Sequence, residues 1–190
     1  MESVVVSRYE LIVLGTSATD VVCSVGGRIA DRAMSGWDVT VFLPNVSDDC
    51  PIRILGAKVL PLDKLATAAS AQGPTAIAMA YELVSTDRRA QRYLTGRFVK
   101  PPKEVTLWGS LPSSAANDWV TARHVASMSG RAFKAHAMAA ASTTTVSRSE
   151  SEVLHSPASS SPGGRRACLR AIPATLIPNE PPVSRPLRST

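Results

Sequence analysis

Cysteine is scarce in this chain, and its spacing excludes two kinds of cross-link. The three cysteines, Cys23, Cys50 and Cys168, are odd in number and lie far apart in the sequence. Neither a disulfide framework nor a CxxC metal knuckle can be built from them, so a reducing compartment is the simpler interpretation. With 190 residues and 44% hydrophobic composition, the chain is long enough for one modest domain with a sizeable core.

Long apolar runs are also missing. No stretch reaches the roughly eighteen apolar residues that a transmembrane helix needs. Residues 1–7 have no charged region followed by a long apolar segment and a small-residue cleavage site. We therefore expect a soluble, cytoplasmic protein with no membrane association.

Two glycine-rich nucleotide motifs are absent as well. Gly15 is followed by Thr16, and the next glycines are Gly26 and Gly27, so the GxGxxG pattern of dinucleotide-binding proteins is not formed. A GxxxxGK[ST] phosphate loop is missing too. The sequence therefore predicts neither a nicotinamide nor a flavin cofactor, and we expect no cofactor of any kind.

Residues 11–43 have the pattern of a strand, a helix and a second strand. The run Leu11–Leu14 is continuously apolar and ends at Gly15, as in a strand that is covered on both faces. Apolar residues then recur at helical spacing at Val22, Val25, Ile29 and Ala33. Gly36 suits the end of the helix, and residues 38–43 predict the second strand. A right-handed parallel crossover is the default connection.

The remaining elements complete a small α/β domain. Residues 57–62 predict a third strand, and the apolar stripe after Pro74, in residues 74–84, predicts a helix. Residues 104–108 alternate as a fourth strand does, and residues 119–140 repeat at helical spacing. We therefore predict a Rossmann-like three-layer α/β domain of about four, mainly parallel strands over residues 1–141.

Composition changes after Ala141. Residues 142–190 contain no lysine and no aromatic residue, and serine, proline and arginine dominate. Such a segment buries too little apolar surface to offset its chain entropy, so we predict a disordered tail. Three interpretations stay open: an uninvolved tail, an arginine-rich arm for an acidic partner, or a stretch not selected for structure, as a shifted reading frame would produce.

The formal charge of +6 raises the question of a nucleic-acid partner. Two basic clusters carry much of this charge. Neither has interleaved aromatic residues or a known nucleic-acid-binding signature, so we expect solvated basic surfaces and no nucleic acid. A nucleic-acid-associated protein is kept as an alternative. The clusters are Arg88, Arg89, Arg92, Arg97, Lys100 and Lys103, and Arg148, Arg165, Arg166, Arg170, Arg185 and Arg188.

The loop after the first strand is the predicted site, because ligands of open α/β folds bind at the carboxyl ends of strands. Hydroxyl groups and amides near a helix start can hold a small anion. The alternative is that Ser17, Thr19 or Asp20 only caps the helix. The predicted ligand-binding residues are Thr16, Ser17, Thr19, Asp20, Gly26 and Gly27.

The stretch TSATDVVCSVGGRIADRAMSGWDVTVFLP resembles the N-terminal motif of PIG-L or LmbE-like zinc deacetylases. In that resemblance Ser17 stands at the family's histidine ligand, Thr19 at its aspartate base and Asp20 at its aspartate ligand. The glycine pair and the later Gly36 match in place. A catalytic zinc needs about three protein ligands. The resemblance therefore implies the family's fold with a metal site that has been lost.

A second similarity covers the same stretch together with EVTLWG, residues 104–109, and RAFKAHAMAAA, residues 131–141. Here the chain is similar to a type of actinobacterial α/β protein without an established activity. This similarity implies a fold only.

Other candidate groups have plainer interpretations. His124 and His136 lie twelve residues apart on one predicted helix, about 18 Å along its axis, so one metal cannot bind both. Cys23 suits a small buried position, and the acidic residues Asp48 and Asp49 suit a solvated turn.

The leading hypothesis is therefore a non-catalytic α/β module that binds a partner protein or a small anionic ligand at the loop from Gly15 to Asp20. The alternative is a metal-dependent hydrolase that uses Asp20 with ligands from elsewhere in the fold. No catalytic residue and no metal ligand is assigned from the sequence.

Overall fold

The computed structural model describes residues 9–68, 73–95, 100–113, 118–141 and 151–158. These residues form an α/β structure with one seven-stranded sheet. Its strands are β1 (Glu10–Leu14), β2 (Asp38–Leu43), β3 (Lys58–Pro61), β4 (Ala76–Ala80), β5 (Glu104–Trp108), β6 (Trp119–Val125) and β7 (Ser151–Pro157). The helices are α1 (Ala18–Met34), α2 (Cys50–Ile54), α3 (Leu65–Ala68), α4 (Tyr81–Thr86), α5 (Arg88–Thr95) and α6 (Met128–Ala140), and Leu62–Lys64 is a 3-10 turn.

The sheet has the strand order β3-β2-β1-β4-β5-β7-β6. Strands β1 to β5 pair in parallel, whereas β7 runs antiparallel to both β5 and β6. The chain moves outward from β1 to β3 and then crosses to β4 on the other side of β1. The strand order therefore reverses between β1 and β4, and the carboxyl ends of the parallel strands share one edge. No helix within these described ranges is long and apolar enough to cross a membrane.

The predicted α/β class and the first βαβ unit are confirmed. Leu11–Leu14 is fully buried in β1, and the apolar stripe of α1 packs into the core through Val22, Val25 and Ile29. Gly36 has a φ of 81°, which an L side chain rarely adopts, so glycine is needed at this helix end. The predicted third and fourth strands are β3 and β5.

The sheet has three strands more than the predicted four, and two of them, β4 and β6, lie in segments that we predicted as helices. Residues 74–84 form β4 followed by α4, and β4 is buried between β1 and β5. A short continuous apolar run fits either structure, and here burial on both faces favours the strand. Residues 119–140 form β6 and α6, and the Ser127 side chain between them accepts a hydrogen bond from the Gly130 backbone N–H and caps α6.

Strand β7 lies inside the segment 142–190 that we predicted to be disordered. Disorder is therefore wrong for residues 151–158, whose Leu154 is 1% exposed in the core. The strand pairs on both sides. Its His155 lies opposite Leu107 of β5, and its Pro157 lies opposite Trp119 of β6. Backbone pairing and one buried face stabilise a segment whose average composition is polar. The other residues of the predicted tail, 142–150 and 159–190, lie outside the described residues.

Helices α1 and α6 cross at close range because glycines lie at the contact. A Cβ atom added at Gly27 would lie 2.6 Å from the Cβ of Ala126. One added at Gly130 would lie 3.0 Å from the carbonyl oxygen of Gly27. At Gly26 the nearest atom is farther away, the side-chain Cγ of Lys134 at 3.3 Å. The crossing therefore requires glycine at positions 27 and 130.

A buried carboxylate fastens β7 to this crossing. Glu152 Oε1 accepts hydrogen bonds from the Gly27 N–H at 2.7 Å and from Lys134 Nζ at 2.7 Å. Its Oε2 accepts from the Arg28 N–H at 3.0 Å. The side chain of Glu152 is 1% exposed and that of Lys134 is 12% exposed. One ion pair with two backbone hydrogen bonds thus joins β7, α1 and α6.

We predict that Gly27→Ala destabilises the protein by about 1–3 kcal/mol, because the added methyl group must push Ala126 and α6 away. The matched control is Gly26→Ala in the same helix. There the neighbouring Lys134 side chain can shift, and alanine favours the helix by about 1 kcal/mol relative to glycine. Urea unfolding followed by circular dichroism measures both. Equal unfolding free energies for the two variants would contradict the packing argument.

We predict that Glu152→Gln costs about 3–5 kcal/mol, because it leaves the Lys134 ammonium buried without its counter-charge. An amide N–H₂ would also face a backbone N–H donor. Glu82→Gln, on the exposed face of α4, is the control and should change the unfolding free energy by less than about 0.5 kcal/mol. The same urea titration tests both. A small effect of Glu152→Gln would show that β7 is not fastened in this way.

Candidate functional site

The loop between β1 and α1 is held by local side-chain hydrogen bonds. Ser17 precedes the helix in extended conformation, and its hydroxyl accepts a hydrogen bond from the Asp20 N–H at 3.1 Å. Ser17 is therefore the helix cap, which was the plainer alternative for this residue. Ser17 and Thr19 are exposed, while Thr16 and Asp20 are half-buried.

Asp20 is the centre of the site, and both of its carboxylate oxygens are hydrogen-bonded. Oδ2 accepts from the Thr16 N–H at 3.2 Å and from Thr16 Oγ1 at 2.9 Å. Oδ1 accepts from Ser24 Oγ at 3.2 Å and from Trp108 Nε1 at 3.0 Å. A carboxylate has about four acceptor positions. Each oxygen thus accepts one N–H donor and one hydroxyl donor.

Trp108 is the site residue that the sequence analysis missed. It ends β5 and is 3% exposed, and the next residue, Gly109, has a φ of 99°. Strand β4 lies between β5 and β1, so the indole reaches across the ends of three neighbouring strands to Asp20. A tryptophan at a predicted strand end, followed by glycine, was the available signal, because a buried indole N–H needs an acceptor.

The structure brings the predicted site residues together only in part. Thr16 and Asp20 are in contact, and Ser17 is one hydrogen bond away. Gly26 and Gly27 lie farther along α1, buried on the side that faces α6, and the Gly27 N–H donates to Glu152. Since a Cβ atom does not fit at Gly27, no space for a ligand exists there. Ligand binding at the loop itself stays a prediction.

The residues around Asp20 do not fit a zinc ion. Within the described part of the chain, no group of three or more His, Cys, Asp or Glu side chains is placed to hold a metal. Cys23 is half-buried, and burial raises the pKa of its thiol, against a smaller opposite influence of Lys134. A protonated thiol is a poor metal ligand. One carboxylate whose two oxygens already accept hydrogen bonds does not make a zinc site.

The three histidines lie on three different elements, β6, α6 and β7. His124 Nε2 lies 3.0 Å from Asp31 Oδ2, and Asp31 also accepts from the Ser127 N–H at 3.0 Å and from its hydroxyl. This cluster ties the junction of β6 and α6 to α1. His136 is exposed on α6, and His155 lies opposite Leu107 in the sheet. Among the described residues, none of these histidines belongs to a group of three or more side chains that could hold a metal ion.

The first basic cluster lies partly on α5. This helix buries Ala90 and Leu94, and Arg89 Nη2 forms an ion pair with Asp87 Oδ2 at 2.7 Å. The guanidinium of Arg89 accordingly holds the pKa of Asp87 below its ordinary value. This pair accounts for one of the arginines structurally. The second cluster falls outside the described residues.

Comparison with known proteins identifies the fold. No family model matches the chain, and no curated protein matches it. The fold is similar to that of a deacetylase of the teicoplanin biosynthetic pathway, solved as a triple mutant, with a TM-score of 0.52 and 13% identity over 82% of this chain and 100% of that one. A zinc-inhibited form of teicoplanin deacetylase matches with a TM-score of 0.52 and 12% identity over 80% of this chain and 100% of that one.

The resemblance to PIG-L or LmbE-like deacetylases is therefore confirmed for the fold. The same finding contradicts the leading hypothesis of a non-catalytic module. These two solved structures are named as deacetylases, which favours the hydrolase alternative over a non-catalytic module. We correct the functional interpretation accordingly.

The Asp31 cluster generates a pH prediction. Burial of Asp31 acts to raise its pKa, but hydrogen bonds from Ser127 and His124 outweigh burial and hold the pKa below the ordinary value of 3.8. Because the folded-state pKa is lower than the unfolded one, the stabilisation is complete well above pH 3.8, declines as the pH approaches 3.8 and is lost as the pH falls through the folded-state pKa.

We predict that Asp31→Asn lowers stability at neutral pH by about 1.5–3 kcal/mol, since it removes hydrogen bonds to a charged group. It should also flatten the loss of stability between about pH 5 and about pH 3. Urea midpoints across this range provide the measurement. Asp63→Asn, which removes one carboxyl group from an exposed turn, is the control. Parallel pH profiles for wild type and Asp31→Asn would rule the argument out.

Proposed function

We propose that the chain is a hydrolase of the deacetylase class, which cleaves an acyl group from an amine at the site around Asp20. One observation carries this proposal. A carboxylate at the carboxyl end of β1 is fixed by an indole at the carboxyl end of β5. The fold shared with two deacetylases supports the reaction class, although the low sequence identity shows the fold alone.

The position of Asp20 supports a role in ligand chemistry. In open α/β sheets, ligands bind outside the carboxyl ends of the strands, where the strand order reverses. In this sheet the reversal lies between β1 and β4. Asp20 follows β1, Tyr81 follows β4 and Trp108 ends β5, so the three flank that crevice. Burial raises the pKa of Tyr81, so its phenol stays protonated and can donate a hydrogen bond.

The hydrogen bonds of Asp20 leave it able to accept a proton. The two N–H donors, from the Thr16 backbone and Trp108, are fixed in place. The hydroxyl groups of Thr16 and Ser24 can rotate their hydrogens away. Each rotation frees an acceptor position on the carboxylate and presents a hydroxyl oxygen to a water molecule. A water held in this way can transfer a proton to Asp20 as its oxygen attacks the amide carbonyl carbon, which is general-base catalysis. Asp20 can then return that proton to the amine nitrogen as the C–N bond breaks, which releases the carboxylic acid and the free amine.

The substrate class follows from the reaction class. The solved structures of similar fold are named as deacetylases of the teicoplanin pathway. For this chain we propose N-acetylated amines as substrates and no narrower group. We also propose a cytoplasmic location, since Cys23 and Cys50 are free thiols and cytosolic conditions keep thiols reduced.

We predict that the purified full chain releases free amine from at least one member of a panel of N-acetylated amines and amino sugars. Asp20→Asn should lower the rate by about 100-fold or more, because a general base contributes about 10²–10⁴. Trp108→Phe removes one hydrogen bond but keeps the carboxylate, so a smaller loss is expected. Fluorescent labelling of the released amine gives the rate.

The matched control is Asp63→Asn, an exposed carboxylate in the turn after the edge strand β3, which β2 separates from β1, and it should keep the wild-type rate. Circular dichroism confirms that each variant is folded before its rate is compared. No amine release from any panel member would count against the reaction class. Equal rates in wild type and Asp20→Asn would remove Asp20 from the mechanism.

A further inference from the structure

We infer that the Asp20 site takes no metal ion, and that the Asp20 carboxylate anchors the loop in place of serving as a metal ligand. The resemblance in sequence implies an aspartate metal ligand at this position. The residues around Asp20 in this chain do not fit that role. As a statement about catalysis it rests on the proposed function. As a statement about metal binding it rests on the geometry alone.

Both carboxylate oxygens of Asp20 already accept two hydrogen bonds each. Hydrogen bonds of 2.9 and 3.2 Å reach Oδ2, and hydrogen bonds of 3.0 and 3.2 Å reach Oδ1. A metal ion needs a lone pair that points at it. It would therefore have to displace at least one donor before the first coordination bond forms.

The two N–H donors of Asp20 also oppose the binding of a metal ion. The Thr16 N–H belongs to the backbone at the strand end, and the Trp108 indole is buried in the core. Neither can turn away as a hydroxyl group can. Both direct the positive end of an N–H dipole at the carboxylate, so the negative charge of Asp20 is stabilised by the protein itself. A cation that approached from these sides would meet hydrogens of like partial charge.

Asp20 also has too few further metal ligands among the described residues. Ser17 and Thr19, at the family's histidine and aspartate positions, are exposed, and the Ser17 hydroxyl already caps α1. The Cys23 thiol has a raised pKa. Among the residues that the structure describes, no three candidate ligands converge. Zinc sites use about three or four protein ligands. Asp20 alone would hold zinc only weakly.

The nearby carboxylate of Glu152 is also occupied. Glu152 Oε1 lies 2.7 Å from Lys134 Nζ, and the Glu152 side chain is 1% exposed. Its two oxygens also accept hydrogen bonds from the Gly27 and Arg28 N–H groups. Glu152 is therefore held by its own ion pair and hydrogen bonds and does not add a ligand to Asp20.

The test is metal analysis of the full chain, expressed with added zinc and purified without chelators. We expect substoichiometric zinc in wild type and in Asp63→Asn, and no shift of the thermal midpoint when zinc chloride or EDTA is added. Asp20→Asn should lower the midpoint by several degrees, to the same extent with and without zinc, because it disrupts the loop. Amine release, where detected, should be unaffected by EDTA.

One zinc per chain that is lost in Asp20→Asn would overturn the inference, as would amine release that EDTA abolishes and zinc restores. The measurement on wild type decides the matter even if Asp20→Asn does not fold. The two proposals fail separately. An absence of amine release contradicts the proposed function, while the zinc content still decides the metal inference.

Discussion

The close packing of α1 against α6 fixes both the last strand of the sheet and the helix that carries Asp20. Glycine inside a helix costs about 1 kcal/mol relative to alanine, yet α1 has two in succession. Gly27 lets Ala126 and α6 come within contact distance, and its N–H together with that of Arg28 receives the buried Glu152. The helix that begins at the candidate site is thus fixed at its middle by β7 and α6. Its first turn, with Asp20, cannot shift without disturbing that packing.

Those elements that interact with their sequence neighbours were predictable. Strand β1, helix α1 and strand β2 follow each other directly, so the apolar run, the helical spacing and Gly36 indicate them without further information. Strands β4 and β7 were not predictable in this way. β4 is a five-residue apolar run whose identity depends on the strands on both sides of it. β7 is an alternating segment of seven residues within a polar region, and its partners are about 30 to 50 residues away.

The candidate site likewise combines residues that are neighbours in the sequence with one that only the fold brings close. The helix start at Thr16 to Asp20 was predictable, because its residues lie next to each other and their types favour a helix start, whereas ligand binding by this loop stays a prediction. Trp108 was missed, because 88 residues separate it from Asp20 and only the sheet order brings them together. The structure gives Gly26 and Gly27 a role in packing, whereas ligand binding by these two glycines stays a prediction. Glycine spacing predicts close approach of a backbone, but the sequence does not say whether a ligand or another helix approaches.

The glycines and the ligand positions of the deacetylase-like motif therefore have separable physical roles in this chain. The glycine pair serves the crossing of α1 with α6, a requirement of the fold that is the same with or without a metal. Ser17 gives α1 the cap that its first turn needs. Asp20 holds the loop against β5 through Trp108, which is sufficient reason for a carboxylate at this position. Because each of these residues is explained by packing or hydrogen bonding, the motif's layout specifies the scaffold and the place of the site. In the proposed hydrolysis, rotation of the hydroxyl groups of Thr16 and Ser24 admits a water molecule to the carboxylate that they now cover.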